Sequence, residues 1–224
     1  SLNLLAYSHI NLGDHRKAIE IFRRYCALYP GDANPYDSMG EACFNTGDLG
    51  EAARMYAKAH ALKPQLGSAV MLSYICGMRG EYREAIRWIE EDMRTQTLPG
   101  RLAADHLWRA TYRSCLGRRA GALEDARRGL EVADSIGSPG LMQSSRDVEA
   151  VLLFDWDRLD EATENLSARS AAGEIPPEEA EVLDDFGKYF AGLVAVASHD
   201  FPAARKALGE LEAILSAIRE RATP

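Results

Sequence analysis

The sequence lacks the features of membrane-spanning, zinc-binding and nucleic-acid-binding proteins. Its longest apolar run, residues 190–197, is far short of the roughly 20 residues that cross a bilayer. The four cysteines never form a C-x-x-C pair, so the usual zinc and redox motifs are absent. The net charge of −8 is unsuited to displacing counterions from phosphate backbones. We therefore expect neither a membrane nor a nucleic acid among its partners.

Motifs of catalysis are also missing. The chain contains no G-x-S-x-G, H-E-x-x-H, G-x-x-x-x-G-K-[ST] or G-x-G-x-x-G, which supply nucleophiles, metal ligands or phosphate-binding loops. Its five histidines are scattered along the chain. Acidic neighbours such as Asp184 and Asp185 point in different directions on a helix and cannot share a substrate proton. We therefore predict a non-catalytic chain that uses no cofactor and no metal ion.

The composition is that of an ordinary folded protein, with 46% hydrophobic and 27% charged residues. Cys26, Cys43, Cys76 and Cys115 each fall within a helical pattern where small apolar residues pack. They are predicted to be buried, reduced thiols, as is common in cytoplasmic proteins. An apolar-periodic helix follows Ser1 directly, with no signal peptide, which indicates a fragment of a longer cytoplasmic chain.

A 34-residue internal repeat is the strongest pattern in the chain. Each unit has a glycine, an alanine five residues later, and a proline twelve residues after that alanine. The members are Gly13, Ala18 and Pro30 in the first unit and Gly47, Ala52 and Pro64 in the second. Glycine accepts the left-handed backbone that ends a helix, alanine lets two helices approach closely, and proline ends the second helix. The repeat therefore predicts pairs of helices joined by short turns.

On these residues the chain resembles tetratricopeptide-repeat (TPR) proteins, whose helix pairs recur about every 34 residues. The resemblance implies an all-α, right-handed superhelical solenoid of about six hairpins, the last two degenerate. We expect a single domain over 1–224, with clear repeats over 1–64, degenerate repeats over 65–134 and TPR-like hairpins over 135–224. The predicted helix pairs are 2–12/16–29, 35–46/50–62, 67–79/82–94, 102–116/119–134, 140–156/159–171 and 177–198/203–221. Asp157 and Asp200, in the two units that lack the glycine, are predicted to cap or terminate helices.

The resemblance also implies a binding surface, because first helices line the concave face in this family. The solvent-facing residues of the first three are predicted to be Asn3, Tyr7, Asn11, Asp37, Glu41, Asn45, Val70, Tyr74 and Met78. Aromatic rings and amides suit an extended peptide or a partner helix. The alternative is a solvated polar face with its tyrosines partly packed. The family's clamp for chaperone C-terminal carboxylates is not expected, since the matching positions carry no cation.

Arginines concentrate in the middle of the chain. Arg109 and Arg113 share a helix face and are predicted to form a basic patch that docks an acidic or phosphorylated partner. The alternative is that arginines of this region pair with nearby acids on exposed helix faces. The candidates for this pairing are Glu84, Glu90, Glu91, Glu124 and Asp125.

Taken together, these patterns favour a non-catalytic scaffold that binds a peptide or protein partner in its concave groove. A second hypothesis is a self-associating regulatory arm of a larger signalling or regulatory protein. Under that hypothesis the terminal helices, 177–198 and 203–221, form a homodimer.

Overall fold

A computed structural model describes residues 1–169, 192 and 200–221, and every regular element in these ranges is helical. The helices are α1 Leu2–Asn11, α2 His15–Leu28, α3 Ala33–Asn45, α4 Leu49–Leu62, α5 Ser68–Met78, α6 Tyr82–Thr95, α7 Pro99–Cys115, α8 Arg119–Ser135, α9 Pro139–Asp155, α10 Leu159–Arg169 and α11 Phe201–Arg221. A short 3₁₀ helix, Pro64–Leu66, precedes α5. The predicted all-α fold of successive helix pairs is confirmed. The predicted helix 177–198 lies almost wholly outside the described residues.

The chain divides into two compact units, residues 1–97 and 98–224. In the first unit the six helices α1 to α6 pack against one another in succession, and α1 also contacts α3. In the second unit α7, α8, α9 and α10 pack in succession, and α7 also contacts α9. The prediction of a single domain over the whole chain stays a prediction.

Small residues stand where paired helices cross. Ala18 and Ala52 of the repeat pattern are fully buried, and so are the alanines at the same position of the next three second helices, Ala85, Ala122 and Ala162. At one crossing the small residue is Gly40 of α3, against which the ring of Tyr56 from α4 packs. A methyl group added to Gly40 would lie 2.9 Å from Cδ1 of that ring. The repeat pattern therefore marks the points of closest packing, where there is no room for a larger side chain.

The turns between paired helices share one backbone conformation. Gly13, Gly47, Gly80 and Gly117 all have positive φ, between 70° and 79°. Asp157 stands at the corresponding point of the fifth pair with φ 60°, and it is the single non-glycine residue with positive φ in the described part of the chain. Its N–H donates to the carbonyl of Phe154, as that of Gly13 does to Ile10. The prediction that Asp157 terminates a helix is confirmed.

Aspartates begin several of the helices. Asp14 and Asp48 each accept a hydrogen bond from the backbone N–H three residues on, at 3.1 and 3.0 Å. Asp200 accepts in the same way from the N–H of Ala203 at 3.2 Å, which confirms its predicted capping role. Such caps satisfy a backbone donor that has no partner inside the helix.

The observed helix bounds differ from the predicted ones most clearly where proline is involved. Helix α3 starts at Ala33 instead of residue 35, because Asp32 caps it and Pro35 fits within its first turn. Helix α7 starts at Pro99 instead of residue 102. Proline is tolerated in the first turn because a helix provides no acceptor for its missing N–H. These Pro-containing segments therefore start helices as well as separating pairs.

The prediction that all four cysteines are buried is wrong for Cys115. Cys26, Cys43 and Cys76 are buried, whereas Cys115 is exposed at the last residue of α7. The turn glycines of the third and fourth repeats, Gly80 and Gly117, are 37 residues apart, and this offset aligns Cys115 with Met78, which is 65% exposed. This repeat position faces solvent near the end of the first helix, so an apolar side chain there does not pack.

Candidate partner-binding face

The nine predicted groove residues lie on α1, α3 and α5, all within the first unit, and none of them is buried. We call these nine residues the first-helix face. Asn11, Glu41, Asn45 and Met78 are exposed, and the other five are partly exposed. The placement agrees with the predicted solvent-facing positions. That a partner binds there stays a prediction.

A hydrogen bond joins α1 to α3 across this face. The hydroxyl of Tyr7 donates to Oε2 of Glu41 at 2.5 Å, between equivalent positions of the first two repeats. The ring of Tyr7 packs edge-on against Phe22, with 5.4 Å between ring centroids. Burial, followed by the hydrogen bond to Glu41, raises the pKa of Tyr7 to about 12. Tyr7 therefore stays protonated near neutral pH and holds the carboxylate in a defined position.

A second hydroxyl–carboxylate bond joins α3 to α5. The hydroxyl of Ser68, at the start of α5, donates to Oδ1 of Asp37 at 2.6 Å. Ser68 is only 1% exposed, so it fixes Asp37 from below the surface. Both groove carboxylates of α3 are thus oriented by a hydroxyl from a neighbouring first helix. Ser68 was not among the predicted residues, because a serine at a helix start has no sequence signature of a cross-repeat contact.

Tyr56, beneath α3, is also part of this environment. Burial raises its pKa, and the nearby charges of Asp37 and Glu41 raise it further. The ring fills the space left by Gly40. The absence of a side chain at Gly40 therefore lets the buried ring pack closely against α3, the helix that carries Asp37 and Glu41, which ties this helix to the core.

The two arginines of the predicted basic patch converge on a buried carboxylate. Nε and Nη2 of Arg109 donate to Asp125, the latter at 2.6 Å, and Nη1 of Arg113 lies 2.8 Å from Oδ2 of Asp125. Nδ1 of His106 lies 3.4 Å from Oδ1 of the same carboxylate. Asp125 is thus a partner of both arginines, as the pairing alternative expected, but the contact joins two helices at a buried carboxylate and does not lie on an exposed helix face. Docking of an acidic partner by this patch stays a prediction.

The electrostatics of this cluster follow from its burial. Burial alone would raise the pKa of Asp125, which is 2% exposed, but the hydrogen bonds from His106 and Arg109 and the charges of Arg109 and Arg113 hold it below its ordinary value. The cluster lies in an open depression of about 840 Å³ between α7 and α8, whose rim includes Arg127 and Arg128. A carboxylate shared by two guanidiniums locks the paired helices together.

Residues 1–169, 192 and 200–221 contain neither a metal-binding cluster nor a helix suited to crossing a bilayer. No group of three His, Cys, Asp or Glu side chains in these ranges is placed to hold a metal ion. No helix in the same ranges is long and apolar enough to cross a membrane.

Comparison with known proteins places this stack of helix pairs among the α-solenoids. A solved structure of PilW, described as a widely conserved type IV pilus biogenesis factor, matches with a TM-score of 0.73 and 15% identity, covering 95% of this chain and 91% of that one. PilF of Pseudomonas aeruginosa matches with a TM-score of 0.70 and 15% identity, covering 95% of this chain and 90% of that one. At this identity the matches establish the fold alone.

The type of repeat is given by two further matches. Residues 1–32 match the family model of the tetratricopeptide repeat. A putative kinesin light chain of Podosopora anserina with nearly identical TPR-like repeats matches with a TM-score of 0.64 and 17% identity, covering 77% of this chain and 92% of that one. No curated protein sequence matches the chain significantly. The resemblance to TPR proteins is confirmed, and repeats of this kind generally mediate protein–protein interaction.

Proposed function

We propose that the protein is a non-catalytic scaffold that binds a peptide segment of a partner protein along its first-helix face. The observation that carries this proposal is the Tyr7–Glu41 hydrogen bond, which links adjacent first helices through residues that remain accessible to solvent. The bond presets the relative position of two side chains on neighbouring repeats. A preset surface loses little conformational entropy when a partner binds, and affinity rises accordingly.

The chemistry of the face also suits an extended peptide. Asn11 and Asn45, one repeat apart and both exposed, offer amide donors and acceptors that can pair with a peptide backbone. Tyr7 and Tyr74 add aromatic area, and Met78 adds a flexible apolar surface. The face residues of α3 are polar and those of α5 are mainly apolar, so one peptide that crosses both helices can form backbone hydrogen bonds and bury side chains at the same time.

Display of a random 12-residue peptide library tests this proposal. We expect selected peptides to bind the wild-type chain and to lose at least tenfold in affinity for the double variant Asn45→Arg/Met78→Arg, which fills the face with bulky charge. The matched control is Ala57→Arg, because Ala57 is exposed on α4, a second helix. Circular dichroism should show equal helical content for all three proteins. Selected peptides that bind the double variant as well as wild type would place the binding surface elsewhere.

A self-associating arm is the second candidate function, and one observation favours it. Leu208 of α11 is 56% exposed, which leaves apolar surface available to a second copy of the chain. Sedimentation velocity over a hundredfold range of concentration tests this candidate. A dimer that dissociates in the Leu208→Glu variant supports it, and a monomer at every concentration excludes it.

A further inference from the structure

Glu41 stands out on the first-helix face because its carboxylate is exposed but fixed. Its Oε2 accepts the hydroxyl proton of Tyr7, and Tyr7 is itself held by the ring of Phe22. The contact comes from a neutral hydroxyl, so it orients the carboxylate without cancelling its charge. Among the described residues Glu41 forms no ion pair with a lysine, arginine or histidine. The carboxylate therefore presents a full negative charge in a defined place.

The charge of the surrounding face has the same sign. None of the nine residues of the first-helix face is basic, and two are acidic. Asp37 and Glu41 are four residues apart on α3, a spacing at which like charges repel and destabilise a helix. Many exposed acids of this chain have a basic neighbour on the same helix, as Glu20 does in Lys17, but Glu41 does not. The charge of Glu41 is thus available to a cation from outside the chain.

We propose that Glu41 is a specificity-determining residue of the groove and that it accepts a lysine or arginine side chain of the bound peptide. The proposal rests on the proposed function, since it names the partner chemistry of the same face. Oε2 is engaged by Tyr7, so Oε1 is the oxygen that receives the incoming N–H donor. Tyr7 acts through Glu41 as a positioning residue. This groove therefore prefers a basic side chain in the peptide, whereas a groove that binds carboxylates prefers an acidic group.

The peptide library selected on the wild-type chain provides the test. We expect Lys or Arg to be enriched at one position of the selected peptides. Selection on Glu41→Gln should abolish this enrichment while leaving the preferences at other positions. Selection on Glu41→Lys should replace it with Asp or Glu. For a single selected peptide, Glu41→Gln should lower affinity roughly two- to fivefold, as expected for an exposed charge pair, and the difference from wild type should vanish at 1 M salt.

Two further variants separate the role of Glu41 from general effects. Glu20→Gln removes an exposed carboxylate of α2 outside the face, and should leave the enrichment unchanged. Tyr7→Phe keeps the ring against Phe22 but removes the hydroxyl. It should weaken the preference for a basic residue without shifting its position in the peptide.

The outcomes distinguish the two proposals. Peptides that bind wild type and are lost in Asn45→Arg/Met78→Arg, but show no basic enrichment, would overturn the role of Glu41 and leave the groove intact. A basic enrichment that persists in Glu41→Gln would overturn it as well. A library that yields no binder would overturn the proposed function and, with it, this inference.

Discussion

The substitution Gly40→Ala tests whether the close crossing of α3 and α4 supports the first-helix face. The added methyl group would lie 2.9 Å from both Cδ1 and Cε1 of Tyr56 and 3.0 Å from Cγ. Carbon atoms in contact are normally about 3.5–4.0 Å apart. Tyr56 is 2% exposed, so its ring cannot move aside into solvent. The two helices must separate or the ring must leave its preferred position.

Two opposing effects set the change in stability expected for Gly40→Ala. Overpacking a core costs about 1–3 kcal/mol, whereas alanine is favoured over glycine within a helix by up to ~1 kcal/mol. We therefore expect Gly40→Ala to lower the free energy of unfolding by about 1–2 kcal/mol. Thermal and urea unfolding, followed by circular dichroism, measures the loss, which should appear as a fall in Tm of roughly 2–8 °C.

A control variant and a second-site variant test whether the loss of stability comes from the contact with Tyr56. At Gly50 of α4 an added methyl group would contact only Oδ1 of Asp48, at an ordinary 3.6 Å, so Gly50→Ala should leave stability unchanged or raise it. Replacing Tyr56 by leucine removes the ring, so Gly40→Ala should cost less in a Tyr56→Leu background than in wild type. A double-mutant cycle gives this coupling. Equal stability of Gly40→Ala and wild type, or zero coupling with Tyr56→Leu, would refute the packing argument.

Three further predictions concern the second unit. Asp125→Asn should lower the free energy of unfolding by about 3 kcal/mol, because it removes a buried carboxylate shared by two arginines. The folded-state pKa of Asp125 is lowered, so this loss of stability should be complete above its ordinary pKa of 3.8 and should shrink as the pH falls below that value. Urea titrations of both proteins at several pH values measure it. Asp157→Gly should stabilise α9 and α10 by about 0.5–1 kcal/mol, because glycine adopts positive φ without steric cost. Amide hydrogen exchange measures this effect, and faster exchange in α9 and α10 of the variant would contradict the prediction. Cys115 should react with a thiol reagent in the native state well before the three buried cysteines, as peptide mapping would show.

The repeat spacing predicted the fold because each repeated residue type solves a local steric problem. A glycine at a fixed distance from an alanine indicates a left-handed turn followed by a close helix crossing, and Gly13 and Ala18 occupy those sites. The resemblance to TPR proteins implied which first-helix positions face solvent, and the spacing related those positions between neighbouring repeats. The repeat spacing could not predict the hydrogen bond between Ser68 and Asp37. That contact depends on where α5 starts relative to α3, and a glycine with positive φ, Gly67, sets this start.

The buried cluster of the second unit was accessible to sequence reasoning, though only through the repeat register. The 37-residue offset aligns Arg109 with Leu72, which is 4% exposed, and Asp125 with Trp88, which is partly buried. Arginine and aspartate in positions that other repeats fill with apolar side chains must neutralise one another, because an unpaired charge is costly in the interior. Helix periodicity alone showed that Arg109 and Arg113 share a face, but it could not choose among the five acids that were candidate partners. The register favours Asp125 among them, because it aligns this carboxylate with Trp88, a partly buried ring that packs against the core of the first unit.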